Sequence, residues 1–418
     1  MRYSTSIKGL AAVAVLVAGA YAIPSAEAAE TVGPVTDEIG VVKIAKGEPM
    51  VWGGYWVLSG PDTALGLDEK RGVEIALDDL GHSLFGHEIR LLSEDSACTA
   101  EGGQTAATKL ASNRRIVIVL GPACSSAATP GAPILWNAGI SSIGTSPSAP
   151  ALTAPDRGPG YDGFIRTIYN DNDGGAFAAE AATEYFKAKT ASTVHDGSPY
   201  SEQLVRVFER EFKARGGKIT SSEAVSPTDT DMRPVLTRIA TNPPEMIYYP
   251  IFVQAGAFIT RQSKEIAGLE NSKLLGSDAV LSPDFVEAAG KDVVGFNIAG
   301  TGVISGARYD DFKKKYNAKY GEDPIHGFHT NGFDAAMIAA VAILKVAVKD
   351  AEGNTYIGRK ALRDALYGTT NHPGLTGIET CNELGDCAAK VFAVLQFTDS
   401  DPESFKLGVN PKQVYPPK

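Results

Sequence analysis

The stretch Ile116–Thr153, IVIVLGPACSSAATPGAPILWNAGISSIGTSPSAPALT, restricts the fold of this chain more than any other. Two short apolar runs, IVIVL and ISSIG, each end in a loop crowded with glycine, serine and threonine, and between them lies a helix whose first turn is CSSAAT. An apolar run of that length bounded by turn residues reads as a buried strand. Strand, helix and strand joined by short connections require a mostly parallel sheet with helices on its faces. In such sheets ligands bind beyond the carboxyl ends of the strands, so two hydroxyl-rich loops at successive strand ends predict a small polar pocket.

The same pattern recurs along the chain. MVWGGYWVL ends at LSGPDTALG before the helix LDEKRGVEIALDDL, and HEIRLLSED ends at Ser96-Ala97-Cys98 before the helix GGQTAATKLASN. After the proline and glycine run APDRGPGYDG comes the strand GFIRTIY. The cluster Asn170-Asp171-Asn172-Asp173-Gly174-Gly175 that follows reads as the cap of the helix AFAAEAATEYFKA, because it lacks the ligand spacing of a calcium loop.

A second series then begins, with strands ASTVHDG, KITSSEAV, EMIYYPIF and KLLGSD. Its helices are EQLVRVFEREFKARGG and QAGAFITRQSKEIAGL. Later segments read as a strand in VGFNIAGTGVIS, helices in YDDFKKKYNAKY and IGRKALRDALYG, and a last strand KVFAVLQF before the extended tail VNPKQVYPPK. NGFDAAMIAAVAILKVAVK is apolar nearly all round and predicts a buried helix. At the start of the chain, VVKI and MVWGGYWVL suggest a hairpin leading into the first core strand. The 418 residues exceed the ~250–300 at which one core splits. The expectation is therefore an α/β protein of two similar Rossmann-like lobes.

The first 28 residues carry Arg2 and Lys8, the apolar run LAAVAVLVAGAYAI, and then Ala26-Glu27-Ala28. That order is the order of a secretory signal peptide with cleavage after Ala28 or Ala29, and the apolar run is shorter than the ~20 residues that span a bilayer. No cysteine precedes Cys98, so the expected product is an exported protein without a lipid anchor. The net charge of −10 becomes one unit more acidic when Arg2, Lys8 and Glu27 are removed. An acidic chain without a basic patch argues against nucleic acid as a partner. Four cysteines in an exported chain predict two disulfides, which we expect to pair Cys98 with Cys124 and Cys381 with Cys387. Zinc is disfavoured because no CxxC or close histidine pair accompanies them.

Reactive constellations are absent from the sequence. It contains no G-x-S-x-G elbow, S-x-x-K, H-E-x-x-H or P-loop. Gly300, Gly302 and Gly306 depart by one position from a dinucleotide fingerprint and read as a hinge or turn. The histidines at 82, 87, 195, 326, 329 and 372 are scattered, and His326 and His329 stand in a loop before a helix. The expectation is a protein without catalytic residues, metal or cofactor. What remains suits a zwitterion. Ser125 and Ser126 at a helix start favour a carboxylate, with Ser146 and Ser148 beside them. Asp278 closes a strand of the second series and suits an ammonium group. Tyr200 and Phe252, at two other strand ends, suit an apolar side chain.

LSGPDTALG, SEDSACTAEGGQTAATKLASN, GPACSSAATPGAPIL, GTSPSAPALT, HDGSPYSEQL, YYPIFVQAG and GSDAVLSPDF, in this order, resemble the periplasmic solute-binding proteins of branched-chain amino acid ABC transporters. The resemblance runs from about Met50 to Phe397. It implies the type I periplasmic binding fold, with two Rossmann-like lobes joined by a multi-strand hinge. The lobes would comprise residues 50–168 with 302–389 and residues 169–301 with 390–418, after a signal peptide at 1–28 and an N-terminal extension at 29–49. It further implies a ligand held by Leu65, Ala123, Cys124, Ser125, Ser146, Ser148, Tyr200, Phe252 and Asp278, and it matches the family's disulfide to Cys98 and Cys124. Phe252 stands where a tyrosine is common, and Asp278 where a glutamate often is. The implied function is that of a monomeric periplasmic subunit that captures an amino-acid-like solute by hinge closure and delivers it to an inner-membrane ABC permease. The scaffold also serves sensory subunits and importers of aromatic acids, amides or urea.

Overall fold

The computed structural model describes Met1 and residues 29–416; the expected signal peptide, apart from Met1, lies outside the described residues. The strand-to-helix pattern builds two open sheets. The first has six strands in the order Ser83–Leu84, His87–Asp95, Met50–Trp56, Ile116–Leu120, Ser142–Gly144 and Phe164–Arg166. Neighbours run parallel except at the short edge hairpin. Met50–Trp56 and Ile116–Leu120 are buried along their whole length, which accounts for near-continuous apolar runs in place of alternation.

The second sheet has seven strands, ordered Lys218–Ala224, Thr190–His195, Met246–Tyr248, Lys273–Ser277, Asn297–Thr301, Phe392–Gln396 and Lys412–Tyr415. The first five are parallel and the last two join antiparallel.

The chain passes between the sheets three times: after Arg166, after Thr301, and between the Cys381–Cys387 loop and Phe392. Helices Ala307–Tyr320 and His329–Val346 return to the first core, contributing Tyr309, Phe312, Phe333 and Ile338. His329–Val346 packs tightly on the helix Thr63–Asp79. A Cβ at Gly72 would fall 1.9 Å from the His329 carbonyl oxygen, and one at Gly332 would fall 2.1 Å from that of Glu69. Glycine is required on both sides for the backbones to approach this closely.

Three local expectations are corrected. VVKI does not form a hairpin with MVWGGYW. Val41–Ile44 pairs instead with Thr355–Gly358, because Met50–Trp56 already has a parallel neighbour on each edge. The tail is more than extended chain: Lys412–Tyr415 is the edge strand of the second sheet, so Phe392–Gln396 is not the last strand. The helix His329–Val346 is buried over most of its surface, yet Val341 and Leu344 are 38% and 49% exposed, and its last expected residues, Val348–Lys349, form a strand. The cap read at residues 170–175 is present. Asn170 Oδ1 accepts from the Asn172 amide at 2.9 Å, and the helix runs from Asp171 to Glu180.

Candidate ligand-binding site

All nine ligand-site residues singled out from the sequence line one cavity of about 330 Å³, counted out to the solvent at its mouth. They arrive from strand ends on both sheets. On the first sheet, Ile116–Leu120 ends at Gly121, whose φ of +91° and approach to the Tyr55 carbonyl oxygen leave no room for a side chain. Ala123 and Cys124 follow, and the helix Ser125–Asn137 begins. The first amides of a helix have no acceptor within it, so Ser125 brings a free donor to the cavity edge. Cys124 has no capping side-chain bond, and its sulfur is joined to Cys98 with Cα atoms 5.3 Å apart.

The serines of this wall are oriented by backbone groups of neighbouring loops and, for Ser148, by a carboxylate. Ser125 Oγ accepts from the Ala149 amide at 3.1 Å, and Ser126 Oγ donates to the Cys98 carbonyl at 2.6 Å. Ser126 thereby faces the disulfide and is not among the lining residues. Ser146 Oγ donates to the Ala123 carbonyl at 2.8 Å, and Ser148 Oγ to Asp171 Oδ2 at 3.0 Å.

The second sheet supplies the opposite wall. Asp278 follows the strand Lys273–Ser277 and is 3% exposed. One of its oxygens, Oδ2, accepts from the Tyr169 hydroxyl at 2.7 Å, from the Thr301 amide at 2.8 Å and from Thr301 Oγ1 at 2.9 Å. Gly300 permits this arrangement, since a Cβ there would fall 2.5 Å from the Asp278 carboxylate. This gives Gly300 of the GTGVISG string a packing role beside the site. Tyr200 donates its hydroxyl to Ser277 Oγ at 2.7 Å, and its ring lies 5.5 Å from that of Phe252. Leu65, expected in the first loop, lies in the first turn of the helix Thr63–Asp79, which starts four residues before the expected LDEKRGVEIALDDL, and it completes the apolar side.

Sequence reasoning missed Ile168, Tyr169, Ala279 and Phe328, which also line the cavity. Tyr169 carries the same signal as Tyr200 and Phe252, an aromatic at a strand end, since it closes the string GFIRTIY. Phe328 precedes the helix His329–Val346 and carries no local signal of its own.

Among the described residues no lysine or arginine lines the cavity, and its one acid, Asp278, is buried. Burial pushes the Asp278 carboxyl up, against the bonds from Tyr169 and Thr301. Asp171, immediately behind Ser148, is pushed up to about 8 by burial, with Asp278 adding to it and Ser148 and Arg166 opposing. Its Oδ1 has no hydrogen-bond partner among the described residues. Arg166 is committed elsewhere, to Asp386 at 2.7 Å and to the Pro147 and Ala149 carbonyls. One wall thus favours an anion, and the opposite one presents the buried Asp278 carboxyl, with Asp171 buried behind Ser148.

His326 and His329 do not reach the cavity. His329 Nδ1 lies 2.9 Å from Asp68 Oδ2, and burial pushes His326 down to about 4, which keeps it neutral. The second expected disulfide, Cys381–Cys387, also forms, with Cα atoms 3.7 Å apart.

Residues 53–387 match the sequence model of a family described as periplasmic binding protein. The chain is 26% identical over 343 residues to the Leu/Ile/Val-binding protein BraC3 of Rhizobium johnstonii, covering 81% of this chain and 89% of that one. Its fold is similar to that of the leucine binding protein LivK from Thermotoga maritima, with a TM-score of 0.75, 22% identity, and coverage of 84% and 96%. It is likewise similar to a solute-binding protein from R. palustris in complex with benzoate, with a TM-score of 0.73, 19% identity, and coverage of 88% and 95%.

Proposed function

Because the chain belongs to the periplasmic binding protein family, with the type I fold of its structural neighbours, we propose that it captures a small α-amino acid with an apolar side chain. The observation that carries this reading is the split polarity of the cavity. Helix-start amides and serines converge at Cys124–Ser125, and Asp278 stands across from them with Tyr169, Tyr200 and Phe252 alongside. A carboxylate satisfies the first set and an ammonium group the second. Leu65, Ile168, Phe252, Ala279 and Phe328 then enclose the side chain.

In this reading the lobes comprise residues 50–168 with 302–389 and residues 169–301 with 390–418, and they close over the solute about the three crossings. The bound solute is handed to an inner-membrane ABC permease, and the protein acts in the periplasm by binding, without turnover. A relative that binds leucine, isoleucine and valine supports the amino-acid class. No helix among the described residues is long and apolar enough to cross a membrane.

A thermal-shift panel of the mature chain against the twenty L-amino acids, aromatic acids and amides tests the proposal. A ligand at about 100 times its dissociation constant stabilises the folded chain by about 2.7 kcal/mol. The expected result is a shift with at least one aliphatic amino acid. Shifts with aromatic acids alone would reject the amino-acid reading.

A further inference from the structure

Two hydrogen bonds bridge the two walls one helical turn beyond the cavity, and neither involves a residue that lines it. Asp62 holds the N-cap position of the helix Thr63–Asp79, yet its side chain makes no bond to that helix. Instead Asp62 Oδ1 accepts from the amide of Val253 at 3.2 Å. Val253 opens the helix Val253–Gln262 on the second sheet, whose own N-cap residue, Phe252, has no side chain able to cap it. On another side of the cavity, Gln203 of the helix Pro199–Ala214 accepts at Oε1 from the Ala151 amide of the first half, at 3.0 Å.

The placement is matched. Asp62 is three residues from Leu65 and Val253 adjoins Phe252, while Ala151 is three residues from Ser148 and Gln203 three from Tyr200. Each bridge therefore stands beside a facing pair of cavity residues drawn from the two halves. Each also satisfies a backbone amide of one half with a side-chain oxygen of the other, so moving the halves apart removes both acceptors. We propose that Asp62 and Gln203 form a two-point clasp that holds the cleft closed and sets solute residence time without touching the solute. The clasp rests on the reading of the cleft as one that closes over a ligand. Asp62 faces two acids of the second half, Asp196 and Asp284, and burial together with these carboxylates pushes its own carboxyl up. The Val253 amide opposes that rise, and the bond itself needs only an accepting oxygen, which a side-chain amide also supplies. Asparagine at position 62 is therefore expected to serve as well as aspartate.

The test has two readouts on the mature chain. In the first, the dissociation constant of L-leucine is measured for the parent, Asp62→Ala, Gln203→Ala, the double variant and Asp62→Asn. Each alanine should weaken binding about fivefold, equivalent to ~1 kcal/mol, through faster dissociation. The double variant should lose the product of the two factors, and Asp62→Asn should stay within about twofold of the parent. In the second, spin labels at Glu101→Cys and Arg210→Cys report the distance between the halves without ligand. The short-distance fraction should fall in the double variant and persist with Asp62→Asn. If the parent does not bind L-leucine, the choice of that amino acid fails while the distance measurement still judges the clasp. Equal distance distributions in the parent and the double variant would overturn it, as would unchanged leucine affinity in both single alanine variants.

Discussion

Tyr169 donates its hydroxyl to Asp278 Oδ2 at 2.7 Å, and Thr301 donates twice to the same oxygen. Three donors on one oxygen fix the carboxylate plane and leave the other oxygen to face the cavity. The orientation of the acid is thus set by Tyr169, which lies in the first crossing after Arg166, and by Thr301, which ends the strand just before the second.

Replacing Asp278 by asparagine keeps the shape and removes the charge. For an amine-bearing ligand this should weaken binding by at least about 30-fold, since breaking a buried charged pair costs roughly 2–5 kcal/mol. Tyr169→Phe removes one hydrogen bond to the acid and should cost about tenfold. Titration calorimetry of both variants checks the pair. Unchanged affinity in Asp278→Asn would remove this residue from the ammonium site.

The acids behind the cavity predict a proton linkage. Burial pushes the Asp171 carboxyl up to about 8 and raises that of Asp278 as well, so both hold protons more readily than exposed carboxyls. An ammonium group beside them favours their ionised forms, so its binding expels protons. Affinity for an amine-bearing ligand should therefore rise from pH 6 to pH 8. Calorimetric enthalpies should also differ between phosphate and Tris buffers; identical enthalpies in the two would refute the linkage. Glu69, pushed up to about 8 by burial, adds a matching effect on the ligand-free chain. Its folded value lies above its unfolded one, so its contribution to stability is full below the ordinary carboxylate range and is lost as pH rises toward 8.

The segment before the first core strand is tied to the fold at Asp37. Asp37 Oδ1 accepts from the Lys360 amide and Oδ2 from the Ala361 amide, both at 3.0 Å, capping the helix Arg359–Tyr367 from outside it. Asp37→Ala should lower stability by about 1–2 kcal/mol, read as a drop in melting temperature, with ligand affinity unchanged. An unaltered melting temperature would mean that this cap adds nothing to the fold.

The Cys98–Cys124 disulfide closes a loop of 26 residues and adjoins the helix start at Ser125. Cys98→Ser combined with Cys124→Ser should cost about 3 kcal/mol of stability by restoring freedom to the unfolded chain. Ligand affinity should also fall, because Ser126 is anchored to the Cys98 carbonyl. Alkylation of the parent without reductant should label no thiol.

The strand-end loops were legible in the sequence because each combines an apolar run with glycine and hydroxyl residues; Ser125, Ser146, Ser148, Tyr200, Phe252 and Asp278, read from strand ends, meet at one cavity with Leu65, Ala123 and Cys124, which the family resemblance supplied. Tyr169 and Phe328 were not legible, because their roles depend on where the chain crosses between sheets. The pairing of Val41–Ile44 with Thr355–Gly358 was hidden for a related reason. Pairing across more than 300 residues leaves no periodic mark, whereas the proximity of VVKI to MVWGGYW suggested a local hairpin. Asp62 stands in the LSGPDTALG string before its own helix, and only the approach of Val253 reveals that its side chain serves another.

The central claim is that one wall holds a carboxylate while Asp278 holds an ammonium group. The most direct test takes the amino acid giving the largest thermal shift and compares its affinity with those of its deaminated and decarboxylated analogues. For leucine these are 4-methylpentanoate and 3-methylbutylamine. The account predicts that each analogue binds at least about 30-fold more weakly than the zwitterion, because each leaves one wall's polar groups buried without a partner. Binding of 4-methylpentanoate as tight as that of leucine would contradict it.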